Sequence, residues 1–254
     1  ALSNIEVKTG AAAAAATSTP NISQSDNDIF SATFTTVHWY GRLSKRKVNI
    51  VTGDVAATED WNTSSLLGRQ VEVGDDGLDG RSIYMLKDGA LAAFSYDTMD
   101  VGTRAWFDNK CNALTQCANM SVANRALVND GRNIVNWLRG RQQYANDNVL
   151  RAFSRQEVGT DKTTIPIVLG DIASSKPAYL REPRRNFDRP GYGAFKTTHA
   201  SRKATVFAAA NDGMLHAFDA NSGEELWAYV PRITMKKLHQ LASTTYGTNH
   251  IFSV

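Results

Sequence analysis

The residues of this sequence that could bind a metal ion fall into an acidic segment and a set of histidines. The acidic segment, GDDGLDG at 74–80, carries Asp75, Asp76 and Asp79, but a calcium loop of the EF-hand type would need Glu at position 86, where the chain has Leu. The five histidines lie apart in the sequence, with no pair at metal-ligand spacing: His38, His199, His216, His239 and His250. We interpret the acidic segment as a polar turn and expect no metal-binding residue.

Catalysis has no recognisable motif in the sequence. The chain contains no Gly-x-Ser-x-Gly, no Walker loop and no dinucleotide-binding glycine pattern. His216 lies within a predicted strand, and we interpret it as a packed, hydrogen-bonded histidine rather than a catalytic one. The sequence therefore predicts no catalytic residue, no cofactor-binding residue and no enzyme activity.

Two cysteines, Cys111 and Cys117, are separated by five residues in CNALTQC. Common metal sites have a two-residue spacing, and no histidine lies nearby to complete such a site. The residues alone leave three interpretations open: two unrelated buried thiols, a small loop closed by a disulfide, or a redox or metal role.

A cluster of arginines lies in REPRRNFDRPGYG, close to aromatic residues. Its members are Arg181, Arg184, Arg185 and Arg189, with Tyr192 and Phe195 nearby. Such a segment is usually a solvated loop face, but it could also contact an acidic partner or nucleic acid. Because the formal net charge of the chain is only +3, a protein surface suits these arginines better than DNA, and we expect no nucleic-acid partner.

The bulk properties are those of a folded protein. The 254 residues are enough for one large or two small domains, and 42% of them are hydrophobic and 21% charged. No apolar run approaches the ~18 residues of a membrane-spanning helix, so no membrane span is predicted. The chain does not begin with Met and lacks a signal peptide, so we expect a processed product or a fragment.

The first part of the chain, residues 1–32, is predicted to be a linker or a disordered arm, because GAAAAAATSTPNISQSDND is of low complexity. Its alanine run is too short to hold a helix alone, and we interpret SDNDIF at 25–30 as a polar turn. Residues 33–254 are predicted to be the folded part. They begin with the strand-like runs ATFTTVHWYGRL and KVNIVTGD, a short helix at 63–67, and a hairpin that turns at Asp88 and Gly89.

A change to helical spacing in SVANRALVNDGRNIVNWLRGR predicts a small helical insert at about 121–141. Ile134, Trp137 and Leu138 share one stripe of this insert. We expect them to pack against the β part, with Trp137 in the core.

The stretch NDGMLHAFDANSGEELWAY is the most informative part of the sequence. Short apolar runs flank two turn signals, at 211–213 and 221–223, and predict three consecutive antiparallel strands over 204–230. A meander of this size is not stable alone, but it is stable as a repeated blade of a β-propeller. We expect Trp227 to be buried against a neighbouring blade.

Three segments carry a resemblance to a known family: NIVNWLRGRQ at 133–142, VLGDIASSKPAYL at 168–180 and VFAAANDGMLHAFDANSGEELWAYVPR at 206–232. The third resembles the quinoprotein-type propeller repeat. In this order, the three closely resemble the C-terminal domain of the PilY/PilC family, the tip-associated adhesins and assembly factors of bacterial type IV pili. HWYGRLSKRKVNIVTGDV is similar to the family's opening strands, although Tyr40 stands where the family usually has a small polar residue.

The resemblance covers residues 33–254 and implies a mainly β fold: a partial β-propeller of quinoprotein-like blades with a small helical insert, completed by residues outside this sequence or by a partner. It implies a non-enzymatic, exported protein of the pilus tip, the outer membrane or the cell surface. Minor pilins, and host-cell or abiotic surfaces, are the implied partners. The family's calcium-binding loop lies later in the domain, so no cofactor is expected within this chain. Export through an oxidising compartment favours a disulfide between Cys111 and Cys117.

Two other functions share this propeller repeat. A quinone-dependent dehydrogenase needs repeated blades and a ligand set for calcium and the quinone, but this sequence has one clear repeat and no vicinal cysteine pair. A generic propeller scaffold, such as an outer-membrane assembly lipoprotein, would not explain the ordered trio of family-like segments. Turnover of alcohol with added quinone and calcium would favour the dehydrogenase.

Overall fold

The computed structural model describes residues 9–17, 27–36, 38–72 and 79–247. Within these residues the strands are β1 (Thr9–Thr17), β2 (Asp28–Thr35), β3 (Tyr40–Lys47), β4 (Trp61–Asn62), β5 (Ile83–Lys87), β6 (Ala90–Ala93), β7 (Arg155–Val158), β8 (Thr163–Pro166), β9 (Ala178–Leu180), β10 (Thr205–Ala209), β11 (Leu215–Asp219) and β12 (Glu225–Val230). The α-helices of the same residues are α1 (Thr63–Glu72), α2 (Val101–Arg104), α3 (Val122–Asn129), α4 (Gly131–Leu138), α5 (Tyr192–Thr198) and α6 (Arg232–Met235). The chain is mainly β, as predicted.

The strands of the described residues form three open sheets. Their orders are β1-β2-β3-β4, β6-β5-β12-β11-β10-β9 and β7-β8. In the six-stranded sheet, β9 to β12 follow one another in antiparallel pairs. β12 then pairs in parallel with β5, and β5 forms an antiparallel hairpin with β6. Across the described residues no sheet closes into a propeller.

The predicted meander over 204–230 is confirmed, and both of its turns lie where the sequence places them. Gly213 and Gly223 have φ values of +82° and +77°, which glycine adopts without steric cost. Both turns are also crowded. A Cβ atom on Gly213 would lie 2.4 Å from Leu238 Cδ2, and one on Gly223 would lie 2.5 Å from Trp61 Cδ2. Each turn therefore lies directly against another part of the fold.

One face of the six-stranded sheet, which we call the inner face, packs on two hydrophobic clusters. Beneath β10 and β11, the buried side chains of Val206 and Phe218 share a cluster with Phe30, Leu43 and Trp61 of the first sheet. The Trp61 indole N–H also donates a 3.1 Å hydrogen bond to the Ala220 carbonyl, which ties the first sheet to the second turn of the meander.

The second cluster joins the inner face to the predicted helical insert, which is confirmed as α3 and α4. Ile83 of β5 and Val230 of β12 belong to the same cluster as Ile134 and Trp137 of α4. Trp137 is 4% exposed, as expected of a core residue. Its ring stacks on Phe153 at 4.9 Å, and its indole N–H donates to a main-chain carbonyl at 2.8 Å.

The run KVNIVTGD is not the strand that its alternation predicts. β3 ends at Lys47, Val48 makes only an isolated bridge, and Val51 is 87% exposed. The reason lies in Asn49, whose side-chain oxygen accepts a 2.9 Å hydrogen bond from the Val51 N–H. Such an Asx turn competes with strand formation.

The N-terminal region also differs from the prediction. ATFTTVHWYGRL is split between β2 and β3 by a turn in which Trp39 has a φ of +48°. The linker interpretation of 1–32 does not hold for Thr9–Thr17, which pairs antiparallel with β2. Nor does it hold for residues 28–32, which belong to β2, so the polar turn predicted at 25–30 is wrong for residues 28–30. A polyalanine segment has low strand propensity, so the hydrogen bonds of β2 decide its conformation. The helix predicted at 63–67 is confirmed and continues to Glu72. The division of the chain into domains stays a prediction.

Candidate functional site: two faces of one sheet and a basic loop

A buried ionic network lies on the inner face. Arg81 binds both carboxylate oxygens of Glu225, at 2.7 and 2.8 Å. Glu225 Oε1 lies 2.7 Å from His216 Nδ1, and His216 Nε2 lies 3.0 Å from Asp212 Oδ2. The side chains of His216 and Glu225 are fully buried, and that of Arg81 is 2% exposed. The network thus alternates cation and anion from Arg81, two residues before β5, to Asp212 in the first turn of the meander.

A β-bulge aims Glu225 into this network. Ala217 pairs with Trp227, but the next residue of β11, Phe218, pairs with Glu225, so Leu226 is an extra residue in β12. In a regular strand, Glu225 would point to the same side as Trp227, away from the inner face. The extra residue changes the side to which Glu225 points and directs its carboxylate inward.

Mutual charge sets the protonation of these groups. Burial alone would lower the pKa of His216, but Asp212 and Glu225 raise that pKa to about 9. Burial would raise the pKa of Glu225, but Arg81 and His216 lower it to about 2. His216 is therefore an imidazolium at neutral pH that donates from both ring nitrogens.

The network holds neighbouring loops in place. Asp212 also accepts a 3.0 Å hydrogen bond from the Gly170 N–H, and the Asn211 side chain donates to Asp171 at 2.5 Å. The first turn of the meander is thereby fixed to the 170–171 segment. The side chains of His216 and Glu225 are fully buried and that of Asp212 is 15% exposed, and each charged group of the network is paired with an opposite charge, so their geometry suits a structural role. His216 is the packed, hydrogen-bonded residue that the sequence predicts.

The opposite face of the six-stranded sheet, which we call the outer face, is apolar except at one end, where Thr205 and Asp219 lie on it. The register places these apolar side chains on it: Ala178, Leu180, Phe207, Ala209, Leu215, Ala217, Trp227, Tyr229, Tyr84, Leu86, Leu91 and Ala93. Leu91 is 68% exposed and Leu86 45%. Tyr84, Leu91, Leu215, Trp227 and Tyr229 line a shallow groove of about 240 Å³.

Trp227 differs from its prediction. The sequence predicts burial against a neighbouring blade, but in the described part of the chain this side chain is only partly buried. Its ring lies 5.8 Å from that of Phe207, with Ala217 between the two in the register. The small alanine allows the two rings to approach across β11.

The arginine cluster lies in a loop that joins β9 to β10, which we call the basic loop (residues 181–203). β9 is an edge strand, so this loop leaves the sheet at its border. Residues 184–191 are all exposed, and so is Phe195. The structure thus places Arg184, Arg185 and Arg189 beside exposed aromatic rings.

The acidic segment is only partly described, since Asp75 and Asp76 lie outside the described residues. Asp79 does not form a metal site. Its buried carboxylate accepts from Arg139 at 2.6 Å and from Arg141 at 2.8 Å. These ion pairs adjoin the network on the inner face, because the Arg139 carbonyl accepts from Arg81 at 3.0 Å. Sequence reasoning missed this connection, since 60 residues separate Asp79 from Arg139.

The other histidines lie apart from one another. His38 is exposed, and His199 packs beside Phe195 in the basic loop. His239 is buried, which lowers its pKa, and Lys110 adds to that effect. His250 lies outside the described residues. In the ranges that the structure covers, no three His, Cys, Asp or Glu side chains come together in a group that could hold a metal ion.

The disulfide prediction is confirmed: Cys111 and Cys117 are bonded to each other and buried in the cluster beneath β5 and β12. Among the helices described above, none is both long enough and apolar enough to cross a bilayer.

Sequence comparison connects the chain to bacterial pilus proteins. A Xylella fastidiosa (strain Temecula1) protein named Type IV pilus biogenesis factor PilY1 homolog is 44% identical over 87 residues, which are 32% of this chain and 7% of that protein. Pseudomonas aeruginosa proteins named Type IV pilus biogenesis factor PilY1, from strains UCBPP-PA14 and PAO1, are 26% and 28% identical over 228 residues. This chain is homologous to a segment of the PilY1 pilus biogenesis factors.

The alignments cover most of this chain but only a small part of each relative. The P. aeruginosa PilY1 alignments cover 85% of this chain, so the relationship extends beyond the three family-like segments. They span only 17% of each PilY1 protein. No family model and no solved structure matches the chain.

Proposed function

We propose that this chain is part of a non-enzymatic propeller domain of a type IV pilus biogenesis factor, exported and located at the pilus tip, the outer membrane or the cell surface. The observation that carries the proposal is the similarity to PilY1 proteins over 85% of the chain. The relatives are named as pilus biogenesis factors.

The sheet supports the propeller part of the proposal. β9 to β12 form a four-stranded antiparallel unit in sequence order, which is the arrangement of a propeller blade. In a propeller, successive blades pack face to face about 10 Å apart through apolar side chains. We propose that a neighbouring blade, from a longer protein or a partner, covers the outer face and buries Trp227. No cofactor is expected within this chain.

Pilin docking, tip adhesion and surface attachment follow from the relatives and belong to the proposal. A rigid stack of blades presents loops at its rims, where binding residues concentrate. We propose that minor pilins contact such loops, and that the assembled factor supports attachment to host-cell or abiotic surfaces.

The test uses the full-length gene in its own bacterium. Trp227→Asp would place a charge where the neighbouring blade packs, and we expect loss of surface pili, counted by electron microscopy, with the protein still exported. The matched control is Val122→Asp, an 87% exposed apolar residue outside the sheet, which should leave pili unchanged. Normal piliation of the Trp227→Asp strain would contradict the blade contact, and normal piliation of a deletion strain would contradict the pilus function itself.

A further inference from the structure

The basic loop concentrates the positive charge of the chain. Residues 181–203 contain seven Lys or Arg and two Asp or Glu, a net charge of +5, whereas the whole chain has +3. The remaining residues are therefore net negative. A loop that opposes the charge of its own protein in this way creates a local positive potential that attracts anions.

Exposed aromatic rings accompany this charge. Phe187 is 52% exposed and Phe195 42%. Their rings are linked through Tyr192, which lies 5.0 Å from Phe187 and 5.8 Å from Phe195, and His199 adds a contact at 4.6 Å to Phe195. The Lys196 ammonium donates to the Asn186 side chain at 2.6 Å, so α5 and the preceding segment are held together. The loop thus presents an aromatic knob surrounded by cations.

Such a surface attracts three kinds of anionic partner: single-stranded nucleic acid, an acidic protein and an anionic bilayer. Single-stranded nucleic acid binds along a groove in which successive bases stack on separate rings, but here Phe187, Tyr192 and Phe195 are gathered into one cluster with centroids 5.0 and 5.8 Å apart. A stable protein interface buries roughly 800 Å² on each partner, over about 20–30 residues, which is more than the eight-residue exposed tip of one loop supplies. An anionic bilayer needs no complementary shape, because its headgroups rearrange around the protein.

We propose that the basic loop binds the surface of a membrane that contains anionic phospholipid. Phe187 and Phe195 enter the headgroup region, and Arg184, Arg185 and Arg189 contact the phosphates. Aromatic side chains favour this interface, and each Lys or Arg near an anionic leaflet adds to binding. This contact is peripheral and reversible, and it does not depend on the pilus function proposed above.

The experiment is cosedimentation of the whole chain with vesicles of phosphatidylcholine alone, or with about a third of phosphatidylglycerol, at low and at high salt. We expect binding to the anionic vesicles at least about tenfold tighter than to the neutral ones, and weaker at high salt. Equal binding to both vesicles, or binding to neither, would overturn the proposal.

Variants locate the contact. The triple change Arg184→Glu, Arg185→Glu and Arg189→Glu should abolish binding to anionic vesicles. The control triple carries the same change in net charge at exposed cations outside the basic loop: Arg69→Glu, Lys162→Glu and Lys237→Glu. Equal loss in both triples would show attraction by overall charge alone and overturn the loop assignment.

A second, uncharged variant guards against misfolding. Phe187→Ser with Phe195→Ser leaves every charge in place, and we expect binding at least about fivefold weaker than that of the unchanged chain, with an unchanged circular dichroism spectrum. Unweakened vesicle binding by this variant would remove the aromatic knob from the proposal. Preferential binding to an acidic protein or single-stranded DNA, with no binding to vesicles, would assign the loop to another partner.

Discussion

The two faces of the six-stranded sheet differ in an unexpected way: the inner face buries charged side chains, and the outer face exposes apolar ones. The inner face holds Arg81, His216 and Glu225, which carry full charges and are inaccessible to water. The outer face is apolar apart from Thr205 and Asp219 at one end, yet Leu91 and Leu86 are 68% and 45% exposed. The charges on the inner face are tolerable because each meets an opposite charge within 3.0 Å. The polarity of the side chains alone therefore does not identify the buried face of this sheet. The buried face is the one on which each charged side chain is paired with an opposite charge.

The strongest way to break the contrast is to remove one partner of the inner network. Arg81→Met keeps the volume but leaves Glu225 buried with one cation fewer, and we expect a loss of about 3–5 kcal/mol in the free energy of unfolding. Urea denaturation followed by circular dichroism would measure it. Arg132→Met removes an exposed ion pair with Asp97 and serves as the control, with a change below about 1 kcal/mol. Equal effects from the two would show that the inner network contributes no more than a surface pair.

The hydrophobic layer beneath the inner face should be nearly as sensitive. Trp137→Ala removes a ring that is 4% exposed and stacked on Phe153, and we expect a loss of about 3–5 kcal/mol. Thermal and urea unfolding would both report it. A loss well below about 1 kcal/mol would place Trp137 at a surface and reopen a binding role for it.

The pH dependence of stability sharpens the role of His216. Its pKa is raised from 6.5 to about 9, so its contribution is complete below pH 6.5 and is lost as pH rises through 9. Glu225 has its pKa lowered from 4.5 to about 2, so its contribution is complete above pH 4.5 and is lost as pH falls towards 2.

We therefore expect the free energy of unfolding to fall by the order of 2–3 kcal/mol between pH 6.5 and 9.5, beyond the change in a His216→Gln variant. Denaturation at a series of pH values, with both proteins, tests this. Parallel pH profiles of the two proteins would mean that His216 is not the titrating group.

Adjacent residues of β5 give the most direct comparison of the two faces. Met85 points inward and is 2% exposed, whereas Leu86 points outward and is 45% exposed. Met85→Ser should cost about 2–5 kcal/mol, but Leu86→Ser only about 0.5 kcal/mol in this chain. The same denaturation experiment measures both. A large loss from Leu86→Ser would show that a second copy already covers the outer face in solution.

Much of the meander could be predicted from the sequence because its signals are local. Apolar runs of strand length and two Asn- and Gly-containing turns fix β10 to β12, and the helical stripe fixes α4. The same local signals misplaced the strand at 48–52, where Asn49 forms an Asx turn that competes with alternation. Thr9–Thr17 was missed because its conformation depends on a non-local contact: a polyalanine strand has low strand propensity and forms only through pairing with β2.

The inner network could not be predicted, because its geometry depends on a register shift. In GEELWAYV, alternation from Trp227 and Tyr229 assigns Glu225 to the outer face. Only the pairing of Phe218 with Glu225 reveals that Leu226 is an extra residue. Arg81 comes from 144 residues away in the sequence, so no local pattern joins it to Glu225. The apolar residues of the outer face, by contrast, are visible in the sequence, but only the order of the strands shows that they lie together on one face.

The parallel pairing of β5 with β12 has a consequence for the time course of synthesis. β5 ends at Lys87 and its neighbour β12 begins at Glu225, so the sheet cannot be completed until the ribosome has synthesised β12. At about 5–20 residues per second, the β5–β6 hairpin waits roughly 7–30 s with one edge of β5 unpaired. During that interval it is an open strand edge, available to any other extended segment. We expect a factor that covers this edge, or translocation before folding, to reduce aggregation of the nascent chain.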